Sequence, residues 1–367
     1  MRKKAAFMPL FLRQPPTWPK AKIPFPYLYG ICYNGGRQFI LWRYVMGRML
    51  LLDQIINPAN NQVEGFCIVR SVVQKSNVKG SDYLDFVLCD AGGEVNAKLW
   101  DYNVEQHGHY EPDTIIKVRG TITLWKEAEQ LKIDRIRNLK DGEAVDMARL
   151  IPCAPLPPKE MYDALYACAE GFQNNDLRML TQYILRENKE DLLRWPAALK
   201  LHHAMRGGLL YHTLFMLRAA KALCSLYQEI YPTLDVDLVC AGVILHDVAK
   251  IPELTVGKLG LASGYSTAGQ LLGHINIGVA RVERAAAELM IEDSVKVLVQ
   301  HILLSHHGQP EFGSPKAPMF PEAEIVSTVD VLDSRLFEMY EAIAGVQPGE
   351  FSERQWALDN RQIYKHP

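Results

Sequence analysis

The sequence predicts two domains of different class: a small closed β-barrel followed by an all-α domain. Three observations carry this. Between Val63 and Leu139 apolar residues recur at period two in runs of four to ten residues, the spacing of half-buried strands. Pro152, Pro155, Pro157 and Pro158 then interrupt the chain. Beyond Lys159 the apolar spacing becomes helical.

The first 48 residues stand apart. Every charged residue before Asp53 is basic, and six prolines between Pro9 and Pro26 break any helix. A basic nucleic-acid arm, a targeting segment, and sequence lying upstream of a start at Met46 or Met49 all fit this basic, Pro-rich extension. The last is favoured because periodic sequence begins near Leu50, so peptides before Met46 are expected to be missing from the native protein.

Residues 49–142 form the barrel. Its strands are read around Phe66–Val73, Tyr83–Cys89, Val95–Trp100, Ile115–Leu124 and Leu131–Ile136, separated by turn residues such as Lys79-Gly80-Ser81 and Asp90-Ala91-Gly92-Gly93. Five short strands suit an OB-like fold, with an SH3-like barrel as the alternative. OB-folds grip single strands through aromatic stacking and a basic groove. Tyr83, Lys98, Trp100, Lys117, Arg119 and Trp125 are the candidates for such a surface. Against them, Val63–Lys140 holds 11 basic and 12 acidic residues, so the barrel is not basic as a whole. Residues 143–160 read as a Pro-rich linker, 161–344 as the helical domain and 345–367 as a tail.

Composition limits the function classes. A net charge of −2 excludes a polycation that binds nucleic acid by bulk charge. Seven scattered cysteines without a Cys-x-x-Cys pair exclude a zinc ribbon and point to reduced thiols in the cytoplasm. No apolar run approaches the roughly 18 residues of a membrane helix. Walker A and Gly-x-Gly-x-x-Gly loops are missing.

Eight of the eleven histidines fall between His202 and His307, and their contexts point to chemistry. His212 opens an apolar helix. His246-Asp247 lies inside Val243-Ile-Leu-His-Asp-Val-Ala-Lys, and Asp330 inside Ile325-Val-Ser-Thr-Val-Asp. An imidazole and a carboxylate in segments fit for burial need a partner, and a metal ion supplies one. A mixed set of histidines and carboxylates suits Mn, Fe, Co, Ni or Zn rather than Ca. Adjacent helical residues point about 100° apart, so His246 and Asp247 can face different ions. His274 and the pair His306-His307 lie between these blocks.

His212, His246-Asp247 and Asp330, in that order, resemble the H…HD…D signature of the HD-domain phosphohydrolases, with Lys250 at the HDxxK position. The resemblance implies that these four residues bind a first ion and that His274 and His306 complete a second, with Asp247 bridging. His307 could replace His306. Asp247 and Lys250 would be catalytic, Lys250 meeting a substrate phosphate. Barrel plus HD domain, with His202-His-Ala-Met-Arg-Gly-Gly-Leu-Leu-Tyr-His, Gly269-Gln-Leu-Leu-Gly-His and Ser305-His-His-Gly-Gln-Pro, resembles the YhaM-type 3′–5′ exoribonucleases of Gram-positive bacteria. The resemblance runs from about Met49 to Lys365. It implies stepwise hydrolysis of single-stranded RNA, with single-stranded DNA as a further substrate, two Mn ions as cofactor (Co, Fe or Zn as substitutes) and a homo-oligomer.

His202 and His203 are expected either at the pocket rim or as surface residues at a helix start. An HD-type phosphodiesterase of cyclic or small nucleotides is the alternative function. The Gly-Tyr-Pro element of the cyclic-di-GMP-cleaving branch is missing, the chain reading Gly308-Gln-Pro.

Overall fold

Alternation of apolar residues closes the first domain into a barrel. The computed structural model describes residues 49–367 apart from Gln54, Pro58, Ala59, Lys79, Lys126, Glu127 and 310–312. The expectations for 1–48 lie outside the described residues. A short strand β1 (Ile55–Asn57) precedes β2 (Gln62–Ser76), β3 (Asp82–Asp90), β4 (Gly93–Leu99), β5 (Ile115–Trp125) and β6 (Ala128–Asn138). Strands pair in the order β2-β3-β4-β6-β5, and β5 returns to β2. A one-turn helix α1 (Val104–His107) lies between β4 and β5. All pairs in the ring are antiparallel except β4–β6. That parallel closure of five strands is OB-like and removes the SH3-like alternative. Cys67, Val69, Phe86, Leu88, Ala97, Ile116, Val118 and Leu131 point inward as one core.

The helical domain comprises α2 (Pro158–Glu170), α3 (Asn175–Glu187), α4 (Lys189–Leu192), α5 (Gly208–Tyr227), α6 (Val236–Leu245), α7 (Lys250–Glu253), α8 (Thr267–Leu289), α9 (Asp293–Ser305) and α10 (Pro321–Ile343). Every residue from Leu238 to Leu245 is buried, the mark of a helix enclosed on all sides. α2, α3, α5, α9 and α10 pack around it. Asp235 starts α6 by accepting a hydrogen bond from the Leu238 N–H, and Asn174 and Ser266 cap α3 and α8 in the same way. The region is not wholly helical, because β7 (Leu254–Val256) and β8 (Ala262–Tyr265) form a hairpin after α7. Those strands are too short for a periodicity argument.

The segment between barrel and helices is packed. Its Leu150 and Ile151 join Ile68 of the barrel and Leu259 of the β7–β8 turn in a separate apolar cluster. Arg206, just before α5, donates to the Leu259 carbonyl at 3.0 Å. The tail folds back through Phe351–Tyr364 and Gln355–Arg361 bridges. Leu358 is buried while Trp356 is 72% exposed.

Candidate active site

Six helices deliver their polar residues to one place. His212 lies in the second turn of α5, and α5 can begin there only because Gly208 is a glycine. A Cβ on Gly208 would sit 2.0 Å from the His203 carbonyl oxygen, so the 202–207 turn rests on the helix start. His246 follows the last turn of α6, with Asp247 next to it. Lys250 opens α7. α8 is broken at Gly273, whose φ of 69° and ψ of 158° are foreign to a helix, and the break swings His274 inward. His306 ends α9 and Asp330 lies in α10.

The side chains converge on Asp247. Its Oδ2 lies 2.6 Å from Lys250 Nζ, 3.2 Å from His246 Nε2 and 3.8 Å from His212 Nε2. Its Oδ1 lies 3.4 Å from His274 Nε2 and 3.8 Å from His306 Nε2. Asp330 Oδ1 is 3.3 Å from His212 Nε2. Every sequence-predicted member of the cluster is therefore brought together, and His212, His246 and His306 are completely buried.

What orients the imidazoles is on their other nitrogen. Nδ1 of His246 and of His306 each lies 2.8 Å from a carbonyl oxygen, of Val243 and Leu303. His212 Nδ1 lies 2.8 Å from Asp333 Oδ2, and His274 Nδ1 lies 3.0 Å from Glu253 Oε1. These partners only accept, so Nδ1 carries the hydrogen and Nε2 is the atom that presents a lone pair to the centre, in His212 once the proton it shares with Asp330 has left. The four Nε2 atoms and Asp247 Oδ1 are buried without a hydrogen-bond partner. An unpaired buried polar atom costs about 1–3 kcal/mol. Five would cancel much of the about 5–15 kcal/mol by which a protein is stable. A cation among them removes that cost, so the donor set fits a metal. His212, His246 and Asp247 form one group with ligand atoms within 4.8 Å of one another, and His274, His306 and His307 form another.

Electrostatics follow the geometry. Burial opposes the charge on Asp247, but Lys250 and His246 hold its carboxyl well below the usual carboxylate range. Asp330 is likewise held down by His212 and His246 against its burial. Burial also opposes protonation of His212, yet Asp330 and Asp333 lift it to about 9. Burial pushes His306 far below an ordinary histidine.

Two carboxylates escaped the sequence reading. Asp333 accepts from both His212 and His203, the latter at 2.9 Å. It lies three residues after Asp330, on the same helix face, and that spacing was a usable signal. Glu253 accepts from the backbone and ring of His274; nothing in the sequence marks it. His203 is not at the rim as expected: it is 2% exposed, holds a left-handed φ of 54° and packs on Phe337 with ring centroids 4.2 Å apart. His202 does lie beside the site, its ring 5.6 Å from that of His212, and burial lowers its pKa to about 3. His307 flanks His274 with ring centroids 5.2 Å apart, outside the fully buried His306.

The barrel candidates fall into two groups. Tyr83 and Trp100 have ring centroids 4.6 Å apart, with Lys98 Nζ 5.3 Å from each. Lys117 and Arg119 lie instead on β5, where both meet Glu64 of β2. The side chain of Trp125 is outside the described residues.

Comparison with known proteins agrees with this architecture. The HD domain family matches residues 209–335, spanning His212 to Asp333. The second OB-fold domain of replication protein A from Methanococcus maripaludis covers 23% of this chain and 88% of its own at 14% identity, with a TM-score of 0.18. At that score the OB-like assignment rests on the strand order alone. A 3′-5′ exoribonuclease YhaM of Bacillus licheniformis is 39% identical over 311 residues, 85% of this chain and 97% of that protein. The YhaM of Bacillus subtilis is 38% identical over the same length. With such identity across nearly the full length of these relatives, the chain belongs to the YhaM family of HD-domain 3′–5′ exoribonucleases.

Proposed function

We propose that the protein removes nucleotides stepwise from the 3′ end of single-stranded RNA, using divalent metal held in the HD cluster, with single-stranded DNA as a second substrate. The observation that carries the metal reading is the set of four Nε2 atoms and one carboxylate oxygen buried without partners around one point. His212, His246, Asp247 and Asp330 would hold one ion; His274 and His306 with Asp247 would hold the other. Imidazole with carboxylate suits Mn, and Co, Fe or Zn would fit the same donors. Bound there, the metal would supply Lewis acidity to a water and to the phosphate oxygens.

The chain's own part is orientation and charge. Asp333, Glu253 and two main-chain carbonyls fix the imidazole tautomers. Lys250, anchored on Asp247, keeps that carboxylate ionised and presents an ammonium beside the cluster for a substrate phosphate. No serine or cysteine nucleophile is needed. The aromatic pair Tyr83–Trp100 with Lys98 offers a stacking platform for unpaired bases, and Lys117, Arg119 and Trp125 belong to the same nucleic-acid role.

The six described cysteines are free, which supports a reducing cytoplasmic setting. No described helix is long and apolar enough to cross a membrane. Self-association into a homo-oligomer is part of the proposal and is read by light scattering. The decisive assay is 5′-labelled single-stranded RNA incubated with Mn²⁺ or with chelator. A ladder shortening from the 3′ end only with metal is expected. Intact RNA alongside rapid hydrolysis of a cyclic dinucleotide would replace this reading with the phosphodiesterase alternative.

A further inference from the structure

The near balance of charge on the barrel hides a segregation. Six of its twelve acids gather on the β2–β3 hairpin (Asp82, Asp85) and the β4–β5 connection (Asp101, Glu105, Glu111, Asp113). The wall made by β4, β6 and β5 is net positive, with six bases against Glu94, Glu129 and Asp134. Ala97, Leu131, Ile116 and Val118 face the core there, so Lys98, Lys132, Lys117 and Arg119 face outward. The register sets these cations side by side. Lys98 is paired with Lys132 across β4–β6, and Arg119 with Arg135 and Lys117 with Arg137 across β5–β6.

Like charges placed directly opposite one another in a sheet are destabilising, so this wall costs stability unless something anionic answers it. The protein answers part of it. Glu64 is shared by Lys117 and Arg119 at 3.1 and 4.0 Å, and Glu143 takes Arg137 bidentately at 2.7 and 2.8 Å. Lys132 and Arg135 are exposed and have no ion pair among the described residues. Between Arg119, Arg135 and Arg137 runs a groove of about 460 Å³, with Asp134 its acid from β6.

The groove also has a direction. One end of the wall adjoins the Tyr83–Lys98–Trp100 platform. At the other, Lys117 lies over the ring of Phe66, and Phe66 and Ile115 pack into the apolar seam that holds Leu150 and Leu259. Alternate outward positions on a strand repeat every roughly 6.8 Å, comparable to neighbouring phosphates on a single strand.

Resting on the RNA-degrading reading above, we infer that this wall is a phosphate track. It carries the backbone of single-stranded RNA from the aromatic platform to the seam with the helical domain, with Lys132 and Arg135 as phosphate contacts. The ligand chemistry is a polyanionic phosphodiester chain, read without base identity.

The test is equilibrium binding of a fluorescent RNA of about 20 nucleotides, longer than the ~4–16 an OB-fold covers, with 3′ phosphorothioate linkages that resist cleavage. Affinity is measured against salt for the full chain, for K132S/R135S and for D134N. The double substitution should weaken binding about tenfold and reduce the slope of log affinity against log salt by about 1.4, at about 0.7 per phosphate contact. D134N should tighten binding. Unchanged affinity and slope in K132S/R135S, with Tyr83→Ala still weakening binding, would overturn the track and leave the RNA reading standing. An unsubstituted protein that binds no single-stranded RNA would overturn both.

Discussion

Asp333 is the residue on which the tautomer argument turns, and Asp333→Asn tests it with almost no change of shape. A single oxygen of Asp333 accepts from His203 and His212 at 2.9 and 2.8 Å. An amide oxygen can still accept, but without charge. Charged hydrogen bonds contribute about 1.5–3 kcal/mol and neutral ones about 0.5–1.5, so each bond weakens by about 1 kcal/mol. If only the His212 bond acts on metal affinity, the loss is about fivefold; if the His203 bond also contributes through the turn it anchors, about thirtyfold. This agrees with the roughly 10–100-fold cost typical of groups behind metal ligands. Mn²⁺ affinity by isothermal titration reads the effect, with a circular dichroism spectrum to show retained helix. Affinity within twofold of the unsubstituted protein would refute the claim that Asp333 sets the basicity of His212.

Three further outcomes are expected. Gly208→Ala should lose activity and destabilise the helical domain by about 1–3 kcal/mol, because the new methyl meets the His203 carbonyl at 2.0 Å; an unchanged denaturation midpoint would show that the turn yields freely. Glu253→Gln should lower occupancy of the ion held by His274 by about tenfold or more while the ion at His246 stays, seen as a change in metal-to-protein ratio from two toward one. The proton that Asp330 and Asp333 keep on His212, to about 9 despite burial, competes with the ion. Metal uptake by chelator-treated protein at pH 7.5 should therefore release protons, and affinity should fall up to tenfold per unit as pH drops below about 9. An indicator dye that records no release on adding Mn²⁺ would contradict this.

The sequence by itself carried the order of domains and the polar members of the cluster, because each has a local signature. Period-two runs mark β2 to β6 wherever one strand face is buried, and His246-Asp247 stands out because ionisable residues in the apolar run Val243–Ala249 need a partner. The hairpin β7–β8 was illegible, its strands of three and four residues being shorter than any period can report. Glu253 and Asp333 acquire meaning only when distant helices bring them behind His274 and His212. His203 read as a residue of the pocket rim or of a helix-start surface, and only packing on Phe337 buries it. The sign of the barrel wall is the plainest case. Eleven bases and twelve acids cancel along the chain, but charge acts through space, and only the register of β4, β6 and β5 decides which charges become neighbours.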